Sequence, residues 1–404
     1  MNPTKNRYNI DNHKIVIFGA GKIGRSFIGQ LFGSGGYKVV FVEIDPTIVA
    51  RLNKERNYRI IIKGEKEEEI VVQNVEAISA CDVQKVIEDV ATAEILAVSV
   101  GKNALHAVIP VIASGLEMRY RYNLNCPLDI IIAENMRAAG DFMKEQLIKY
   151  LPADYPFGKL VGLVETSIGK MVPIMTLAEL EKNPLMVYAE PYNTLILDRK
   201  GFKSPIPDIK GLAPKDNIKA WVDCKAFIHN LGHATAAYYG FYKHPDAVHI
   251  YEVLDDFDVF QFTREVMIQS ALTLHVAYSD DFTISDLEEH IDDLLMRFQN
   301  KALQDTIYRV GHDLTRKLRS DDRFMGAIHL AIYFGTPYDK ILKAMSYGLC
   351  FRAKDEEGNS FPSDIAFLGA LLKEFEPTMI KELSLDPIID YFILDELKKQ
   401  IVFC

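Results

Sequence analysis

The sequence contains fewer basic than acidic residues and has no long apolar run. Its 404 residues include 46 lysines and arginines against 56 aspartates and glutamates, a formal net charge of −10. A nucleic-acid partner is therefore not expected, because neutralising phosphates requires a basic surface. No run of about 18 apolar residues occurs, so neither a membrane span nor a membrane partner is expected. The polar start, residues 1–13, lacks the apolar character of a signal peptide.

Cysteine is also scarce. The chain has five cysteines, an odd number, and no Cys-x-x-Cys pair. They lie far apart, at Cys81, Cys126, Cys224, Cys350 and Cys404. This pattern excludes a disulfide-rich scaffold and predicts free thiols in a reducing compartment, so we expect a cytoplasmic protein.

Hydrophobic residues make up 49% of the chain, enough for two cores, and their pattern changes near residue 200. Before that point short apolar runs alternate with helical segments, which predicts an α/β fold with a parallel sheet and helices on both faces. The expected strands are 14–18, 38–44, 95–100 and 128–133, with an inserted hairpin at 58–63 and 69–75. Residues 200–215, which contain proline, glycine and lysine, are expected to form a linker or a surface ribbon.

The second half of the chain has helical periodicity throughout. Helices are expected at 217–240, 244–274, 284–298, 302–318, 323–334, 337–348, 362–374 and 388–402. The sequence therefore predicts two domains, a nucleotide-type α/β domain over residues 1–200 and an all-helical domain over residues 201–404.

A glycine-rich turn follows the first expected strand and precedes a helical segment. It reads Gly19, Ala20, Gly21, Lys22, Ile23 and Gly24, the Gly-x-Gly-x-x-Gly pattern of dinucleotide-binding turns. The first glycine permits the tight turn, the second lets the backbone approach a pyrophosphate, and the third lets helix and strand pack closely. The context favours a Rossmann-type, doubly wound, mostly parallel sheet. A purely structural turn and a site for another nucleotide, such as S-adenosylmethionine, are the alternatives.

Glu43 ends the second expected strand, 19 residues after Gly24. A carboxylate there would accept hydrogen bonds from an adenosine ribose and repel a 2′-phosphate, which favours NAD over NADP. Asp45 is the alternative ribose ligand, although it lies in a turn. Ser99 and Lys102, after the third core strand, are expected to line the nicotinamide or phosphate region.

The apolar segment 217–240 carries four polar residues on one broad face. At about 100° per residue they fall within about 140° of one another. These residues are Lys225, His229, Asn230 and His233. His229 and His233 are spaced to share a metal, but no third ligand is evident and the glutamate of His-Glu-x-x-His is absent. A lysine base is the other candidate, because burial makes a lysine lose its proton more readily.

Lys225, Asn230 and His233 form Lys-x-x-x-x-Asn-x-x-His, which resembles the signature of the polyol-specific long-chain dehydrogenases. Further segments resemble that family in the same order along the chain, at 17–25, 134–136, 230–238, 297–300, 309–311, 316–318 and 322–323. The resemblance implies an N-terminal Rossmann domain, a C-terminal helical domain, and NAD-dependent oxidation of a polyol without zinc.

The resemblance also implies roles for single residues. Lys225 would be the general base and His233 would orient substrate hydroxyls. Asn230 and Asn135 would hydrogen-bond the developing alkoxide, as amide donors stabilise negative charge that forms in a transition state. The pattern does not require His229, which is expected to be structural.

The implied reaction interconverts D-mannitol 1-phosphate and D-fructose 6-phosphate, and the length of the chain favours this phosphorylated substrate. The basic residues Arg316, Arg319 and Arg323 can share a helix face, with Lys317 pointing elsewhere. They are expected either to hold the substrate's phosphate or to form a solvated face. Gly169 replaces the family's usual aspartate, which leaves open an unphosphorylated polyol or a sugar acid, as in the mannitol/fructose or altronate/tagaturonate pairs. A non-catalytic NAD-binding regulator is the alternative of another class, and the oligomeric state stays open.

Overall fold

The computed structural model describes residues 9–122, 126–173 and 175–401, except the side chain of Leu177. The chain divides into two compact units, the first ending at Ile218 and the second beginning at Lys219. This division lies further along the chain than the predicted boundary at residue 200. The segment before residue 9 and Cys404 lie outside the described residues.

The first unit is built on a large sheet and a small one. Its strands are β1 Asp11–Phe18, β2 Lys38–Glu43, β3 Asn57–Lys63, β4 Glu67–Gln73, β5 Val75–Ser79, β6 Ala93–Val98, β7 Leu128–Ile132, β8 Val161–Ser167, β9 Val187–Ala189, β10 Leu195–Asp198 and β11 Leu212–Lys215. Its helices are α1 Gln30–Ser34, α2 Pro46–Glu55, α3 Val83–Thr92, α4 Leu105–Arg121, α5 Ala139–Ile148, α6 Phe157–Leu160 and α7 Leu177–Lys182.

The large sheet has eight strands in the order β11-β10-β8-β7-β6-β1-β2-β5, and the small sheet has the order β4-β3-β9. All neighbours in the large sheet are parallel except β8 and β10. Residues of β1 alternate between two cores: Ile15 and Ile17 face one, Val16 and Phe18 the other. Both faces are therefore covered, as is usual for a parallel sheet. The predicted Rossmann-type α/β fold is confirmed.

The described structure corrects the prediction at two short strands. Residues 200–215 are more than a linker, because their last four residues form β11, which pairs in parallel with β10. The strand β5 was not predicted, because only Asn74, with a left-handed φ of 58°, separates it from β4. The apolar pattern of the hairpin therefore runs into β5 without a visible break.

The second unit is helical in its described part. Its helices are α8 Ile218–Cys224, α9 Leu231–Lys243, α10 Ile250–Leu254, α11 Phe257–Ala277, α12 Ile284–Phe298, α13 Ile307–Gly311, α14 Leu314–Lys317, α15 Met325–Phe334, α16 Asp339–Leu349, α17 Pro362–Leu371, α18 Phe375–Leu383 and α19 Tyr391–Ile401. A π-helical turn over Lys225–Asn230 joins α8 to α9. Across the described residues, none of the helices is long and apolar enough to span a membrane.

Helix α9 packs closely among its neighbours because small residues line it. A side chain at Gly232 would meet the sulfur of Met267 in α11 at 2.3 Å, and one at Gly240 would meet Val253 in α10 at 2.5 Å. From α16, Gly348 approaches the fully buried ring of Tyr238. The helix that carries the polar signature is thus held on several sides.

The single helix predicted over 302–318 is wrong. The structure has α13 and α14 instead, separated by Asp313, which adopts a left-handed φ of 70°. Asp364 of α17 stabilises this break, since its carboxylate accepts hydrogen bonds from the backbone N–H groups of Asp313 (2.9 Å) and Leu314 (2.7 Å). That contact comes from a distant part of the chain, so local periodicity does not reveal it.

The expectation of free thiols holds for Cys81, Cys126 and Cys224. It is wrong for Cys350, which is disulfide-bonded.

Candidate active site

The glycine turn in the first unit has the backbone geometry that its sequence requires. Gly19 adopts a φ of +94°, and a Cβ there would lie 2.7 Å from the carbonyl oxygen of Ser99. A Cβ at Gly24 would lie 2.0 Å from the carbonyl oxygen of Gly19. At Gly21, by contrast, a Cβ would meet no atom within 4 Å. The first and third glycines are needed for packing, and the second leaves open space over the backbone, where a pyrophosphate would approach.

The residues between the glycines differ in exposure. Ala20 is buried, Lys22 is exposed and Ile23 is half-buried. The buried guanidinium of Arg25 holds the turn from behind, since its Nε donates to the carbonyl of Ala20 at 2.6 Å. Arg25 was not predicted, and its position directly after the last glycine was the only signal.

A first π-helical turn, Gly24–Gly29, follows the glycines. The Tyr58 hydroxyl donates to the carbonyl of Arg25 at 2.7 Å and fills the space beside Gly29. Tyr58 is fully buried. A hydroxyl inserted into the helix's own hydrogen-bond ladder is a recognised cause of such an irregular turn.

Glu43 lies against the glycine turn. Its Oε2 accepts the backbone N–H of Ala20 at 2.8 Å, and its Oε1 accepts the N–H of Ile44 at 2.7 Å. Asp45 instead caps α2, accepting the N–H of Thr47 at 2.8 Å. Of the two acids considered as ribose ligands, Glu43 is the one in contact with the turn.

Ser99 and Lys102 lie after β6 in different surroundings. The Ser99 hydroxyl is 3.3 Å from the carbonyl oxygen of Gly19, so this side chain contacts the turn. Lys102 is exposed at the start of a short 3-10 helix.

Glu134, which the sequence reasoning did not single out, links the ends of β6 and β7. It is buried, its Oε1 accepts the N–H of Gly101 at 2.9 Å, and burial raises its pKa despite this hydrogen bond. Asn135 follows it and is exposed at the carboxyl end of β7, the edge at which parallel sheets bind ligands. The glycine turn, Glu43, Ser99 and the end of β7 have the form and donor set expected of a dinucleotide site.

The second unit carries the polar helix. Lys225 and Asn230 are the first and last residues of its π-helical turn. A π turn holds more residues per turn than an α-helix, so these two side chains leave the helix closer to one side than the separation of about 140° in an α-helix. The angular separation between Lys225 and Asn230 is therefore smaller than the α-helical spacing predicted.

Lys225 is half-buried, and its pKa is lowered to about 8. Burial is the main cause and Arg323 adds repulsion, while Asp322 acts in the opposite direction. A lysine in this range can take up or release a proton near neutral pH. Arg323 also approaches the helix directly, with its Nη1 3.4 Å from the carbonyl oxygen of Asn230.

His233 is stacked on Phe298, with ring centroids 4.4 Å apart and an interplanar angle of 7°. Burial lowers its pKa well below the ordinary value. Four cations lower it further: Arg309, Lys317, Arg323 and Arg297. The Oδ2 of Asp305 lies 3.6 Å from His233 Nε2, but the direction of the shift shows that burial and the cations outweigh this carboxylate. His233 is therefore a neutral imidazole.

The basic group is arranged differently from its prediction. Only Arg316 lies on α14, while Arg319 and Arg323 lie in the turns that follow, so no common helix face exists. The side chains of Arg316 and Arg319 are 48% and 53% exposed, and they pair with Asp313 and Asp321 respectively. The helix that begins at Leu314 ends at Lys317, before Arg319, which explains the difference.

Lys317, expected to point elsewhere, is the buried lysine of this group. Burial lowers its pKa well below the ordinary value, helped by Arg323 and Arg316, and its Nζ donates to the carbonyl of Val310. Arg323 is also buried, with its Nε donating to Asp322 at 2.8 Å. The structure thus brings together a cluster in the second unit, in which neither Arg309 nor Asp305 was predicted as a site residue. Its members are Lys225, Asn230, His233, Arg323, Lys317, Arg309 and Asp305.

His229 packs as a core residue. It is 6% exposed, and its ring lies 5.5 Å from that of Phe298 and 6.3 Å from that of His233. In the part of the chain that the structure describes, no group of three or more metal-type ligands comes together.

Gly169 and Lys170 belong to the first unit. A Cβ at Gly169 would touch the ring of Tyr192 at 3.6 Å, an ordinary van der Waals contact. Lys170 is buried and donates to the side-chain oxygens of Gln30 (2.9 Å) and Asn193 (2.8 Å). Burial lowers its pKa to about 7, with Glu190 acting in the opposite direction.

A dinucleotide-type turn in one unit and a lysine–asparagine–histidine group in the other define an oxidoreductase that uses a Rossmann domain. Family models agree: the mannitol dehydrogenase Rossmann domain matches residues 13–211 and the mannitol dehydrogenase C-terminal domain matches residues 217–384. The chain belongs to the mannitol dehydrogenase family, which confirms the predicted resemblance.

Among curated relatives, the chain is similar to mannitol-1-phosphate 5-dehydrogenases. It is 32% identical to that of Geobacillus stearothermophilus over 85% of this chain and 88% of the relative. It is 31% identical to that of Streptococcus mutans over 85% and 89%, and 29% identical to that of Buchnera aphidicola over 91% and 93%.

Two solved structures share the fold at 16% sequence identity. The ternary complex of Pseudomonas fluorescens mannitol 2-dehydrogenase with NAD and D-mannitol has a TM-score of 0.73 and covers 99% of this chain and 92% of that one. A substrate-free D-sorbitol dehydrogenase has a TM-score of 0.74 and covers 98% and 93%.

Proposed function

We propose that this protein is an NAD-dependent dehydrogenase that interconverts D-mannitol 1-phosphate and D-fructose 6-phosphate. The proposal is supported by curated relatives of that name, which match this chain over 85% or more of its length. The observation that carries the chemistry is Lys225, with a pKa lowered to about 8, on one side of a π turn with Asn230.

In the oxidative direction, neutral Lys225 takes the proton of the substrate hydroxyl. In the reductive direction, the protonated amine returns it to the ketone oxygen. When bound, the nicotinamide cofactor supplies the hydride acceptor or donor. The amide of Asn230 donates a hydrogen bond to the developing alkoxide. In the first unit, Asn135 is the other candidate amide donor.

In this proposal the substrate's phosphate is held by Lys317 and Arg323, which are buried, and by Arg309, whose side chain is 39% exposed. All three lower the pKa of His233, and they form a basic cluster in a protein of net charge −10. Charged hydrogen bonds from lysine and arginine to phosphate oxygens are strong and directional. Arg316 and Arg319 contribute less to phosphate binding, because they are half-exposed and already paired with carboxylates.

The cofactor preference rests on Glu43. Its carboxylate is anchored on the glycine turn through the N–H of Ala20, where it would meet an adenosine ribose. A 2′-phosphate at the same place would be a like charge, so NAD is favoured over NADP.

The test is a spectrophotometric panel in which purified protein and NADH receive fructose 6-phosphate, fructose or tagaturonate. We expect clear oxidation of NADH with fructose 6-phosphate and much less with the other two. Preference for fructose or tagaturonate would assign the free-polyol or sugar-acid alternative instead. Absence of a signal with every substrate would point to a non-catalytic NAD-binding regulator.

A further inference from the structure

Asp305 is an almost fully buried carboxylate in the second unit, 5% exposed. Its position is held by the backbone on both sides. The Asp305 carbonyl accepts the N–H of Ile250 at 2.9 Å, and the N–H of Ile307 donates to Val248 at 2.8 Å. The side chain therefore extends from an antiparallel backbone contact, which fixes the direction of its Cα–Cβ bond.

The Asp305 carboxylate meets two polar groups of the site. One oxygen lies 3.6 Å from His233 Nε2 and the other contacts the guanidinium of Arg309. Among the residues that the structure describes, none hydrogen-bonds His233 Nε2, although this atom is buried. A separation of 3.6 Å is slightly too long for a hydrogen bond, but such bonds in unliganded sites often tighten when substrate binds.

His233 is neutral, so only one of its nitrogens carries hydrogen and the other is an acceptor. A carboxylate can only accept, so it stabilises the tautomer whose hydrogen faces it. The His233 side chain is 14% exposed although Nε2 is buried, so the open part of the ring lies away from Nε2.

We propose that Asp305 is a positioning residue that holds His233 in the Nε2–H tautomer and so presents Nδ1 as the acceptor for a substrate hydroxyl. The proposal rests on the proposed dehydrogenase function for its catalytic consequence, but the tautomer itself does not depend on which substrate is used. Through its other oxygen, Asp305 fixes the guanidinium of Arg309 beside the same ring. One carboxylate thereby sets the orientation of an acceptor and of a cation.

The direct test is nitrogen NMR of the whole protein labelled with ¹⁵N-histidine, with His233→Gln used to assign the signal among the ten histidines of the chain. We expect the wild-type ring to be protonated at Nε2. In Asp305→Asn the amide can present either its oxygen or its NH₂ group, so the two tautomers should become comparably populated. A wild-type ring protonated at Nδ1, or an unchanged spectrum in Asp305→Asn, would overturn the proposal.

The kinetic test is a double-mutant cycle on fructose 6-phosphate reduction. Asp305→Asn should lower kcat by about 10²-fold, the scale of lost acid–base positioning. In a His233→Gln background the same change should cost no more than about threefold, because the two residues act as one unit. Fully additive losses would mean that Asp305 supports the fold independently of His233, and would refute the positioning role.

Asp292→Asn is the matched control, because Asp292 also pairs with an arginine, Arg264 at 2.8 Å, but on the surface. Its kcat and the His233 signal should equal those of the wild type. Lack of turnover on fructose 6-phosphate by the wild type, together with the Nε2–H tautomer, would count against the proposed substrate and not against the role of Asp305.

Discussion

Lys170 in the first unit and Lys225 in the second are both withdrawn from water, and burial lowers the pKa of Lys170 to about 7 and that of Lys225 to about 8. Their neighbours differ. Lys170 donates to the amide oxygens of Gln30 and Asn193, whereas the pKa of Lys225 responds to the cation Arg323 and its partner Asp322.

The comparison shows that a low lysine pKa records burial and does not by itself identify a base. A lysine that donates to two amide oxygens ties segments of one unit together, here α1 and the loop after β9. Lys225 instead shares one side of a helical turn with Asn230. The neighbouring groups, not the pKa, separate a structural lysine from a catalytic one.

Removing each amine should give the largest contrast. Lys225→Ala should lower kcat by at least ~10²-fold with NADH affinity nearly unchanged, because only the proton acceptor is lost. Lys170→Met should leave turnover within about threefold but lower the free energy of unfolding by about 1–3 kcal/mol, since the buried amide of Gln30 loses its partner. Steady-state kinetics measures the change in kcat, and urea unfolding measures the change in stability of both variants. Equal losses of kcat would contradict the assignment of Lys225 as catalytic and Lys170 as structural.

A third buried lysine extends the comparison to substrate binding. Lys317→Met should raise KM for fructose 6-phosphate by roughly 10- to 100-fold, the effect of losing one charged hydrogen bond to phosphate. Arg316→Met serves as the control and should have a small effect, because that side chain is half-exposed and paired with Asp313. The phosphate assignment fails if both variants lose activity equally on fructose 6-phosphate and on free fructose.

The pH dependence should identify which lysine titrates during turnover. Oxidation needs neutral Lys225, so kcat should rise about tenfold per pH unit below a pKa of about 8 and level off above it. Reduction needs the protonated amine, so its rate should fall above the same pH. Lys170→Met should keep both profiles. A profile that moves in that variant, or one centred on pH 7, would assign the titration to Lys170.

The smallest effect concerns the first unit's choice of cofactor. Glu43→Ser should weaken NADH use and narrow the preference over NADPH by about tenfold, because a like charge near the 2′-phosphate is removed. Asp45→Ser is the matched control, since serine also caps helices and should keep α2 intact. Wild-type protein equally efficient with both cofactors would contradict the role of Glu43.

Local patterns in the sequence were sufficient for four strands of the large sheet, β1, β2, β6 and β7, and for the polar helix. The apolar residues of β1, Asp11–Phe18, and the glycines that follow it are specified by local chemistry, and the structure has the predicted strand and turn. The Lys225–His233 segment is likewise helical throughout, although its angular spacing is not that of an α-helix because of the π turn. That turn depends on packing around the helix, which periodicity does not encode.

The basic group shows where sequence reasoning fails. Arg316, Arg319 and Arg323 have helical spacing, but the short helix that begins after Asp313 ends at Lys317, before Arg319. Lys317 points away from the exposed Arg316, as expected, but it points into the interior, which its spacing alone did not reveal. Asp305 gave no signal at all, because its meeting with His233 joins residues 72 positions apart in the chain.

The hydrogen bonds from Asp313 and Leu314 to Asp364 have a consequence for the order in which the protein becomes complete during synthesis. The short helix that carries Lys317 has its first N–H groups satisfied by a carboxylate made about fifty residues later. A chain still on the ribosome can therefore finish the nucleotide-type unit while the segment around Lys317 lacks its cap. The start of the helix that carries Lys317 can therefore be capped only after residue 364 has been made, late in synthesis.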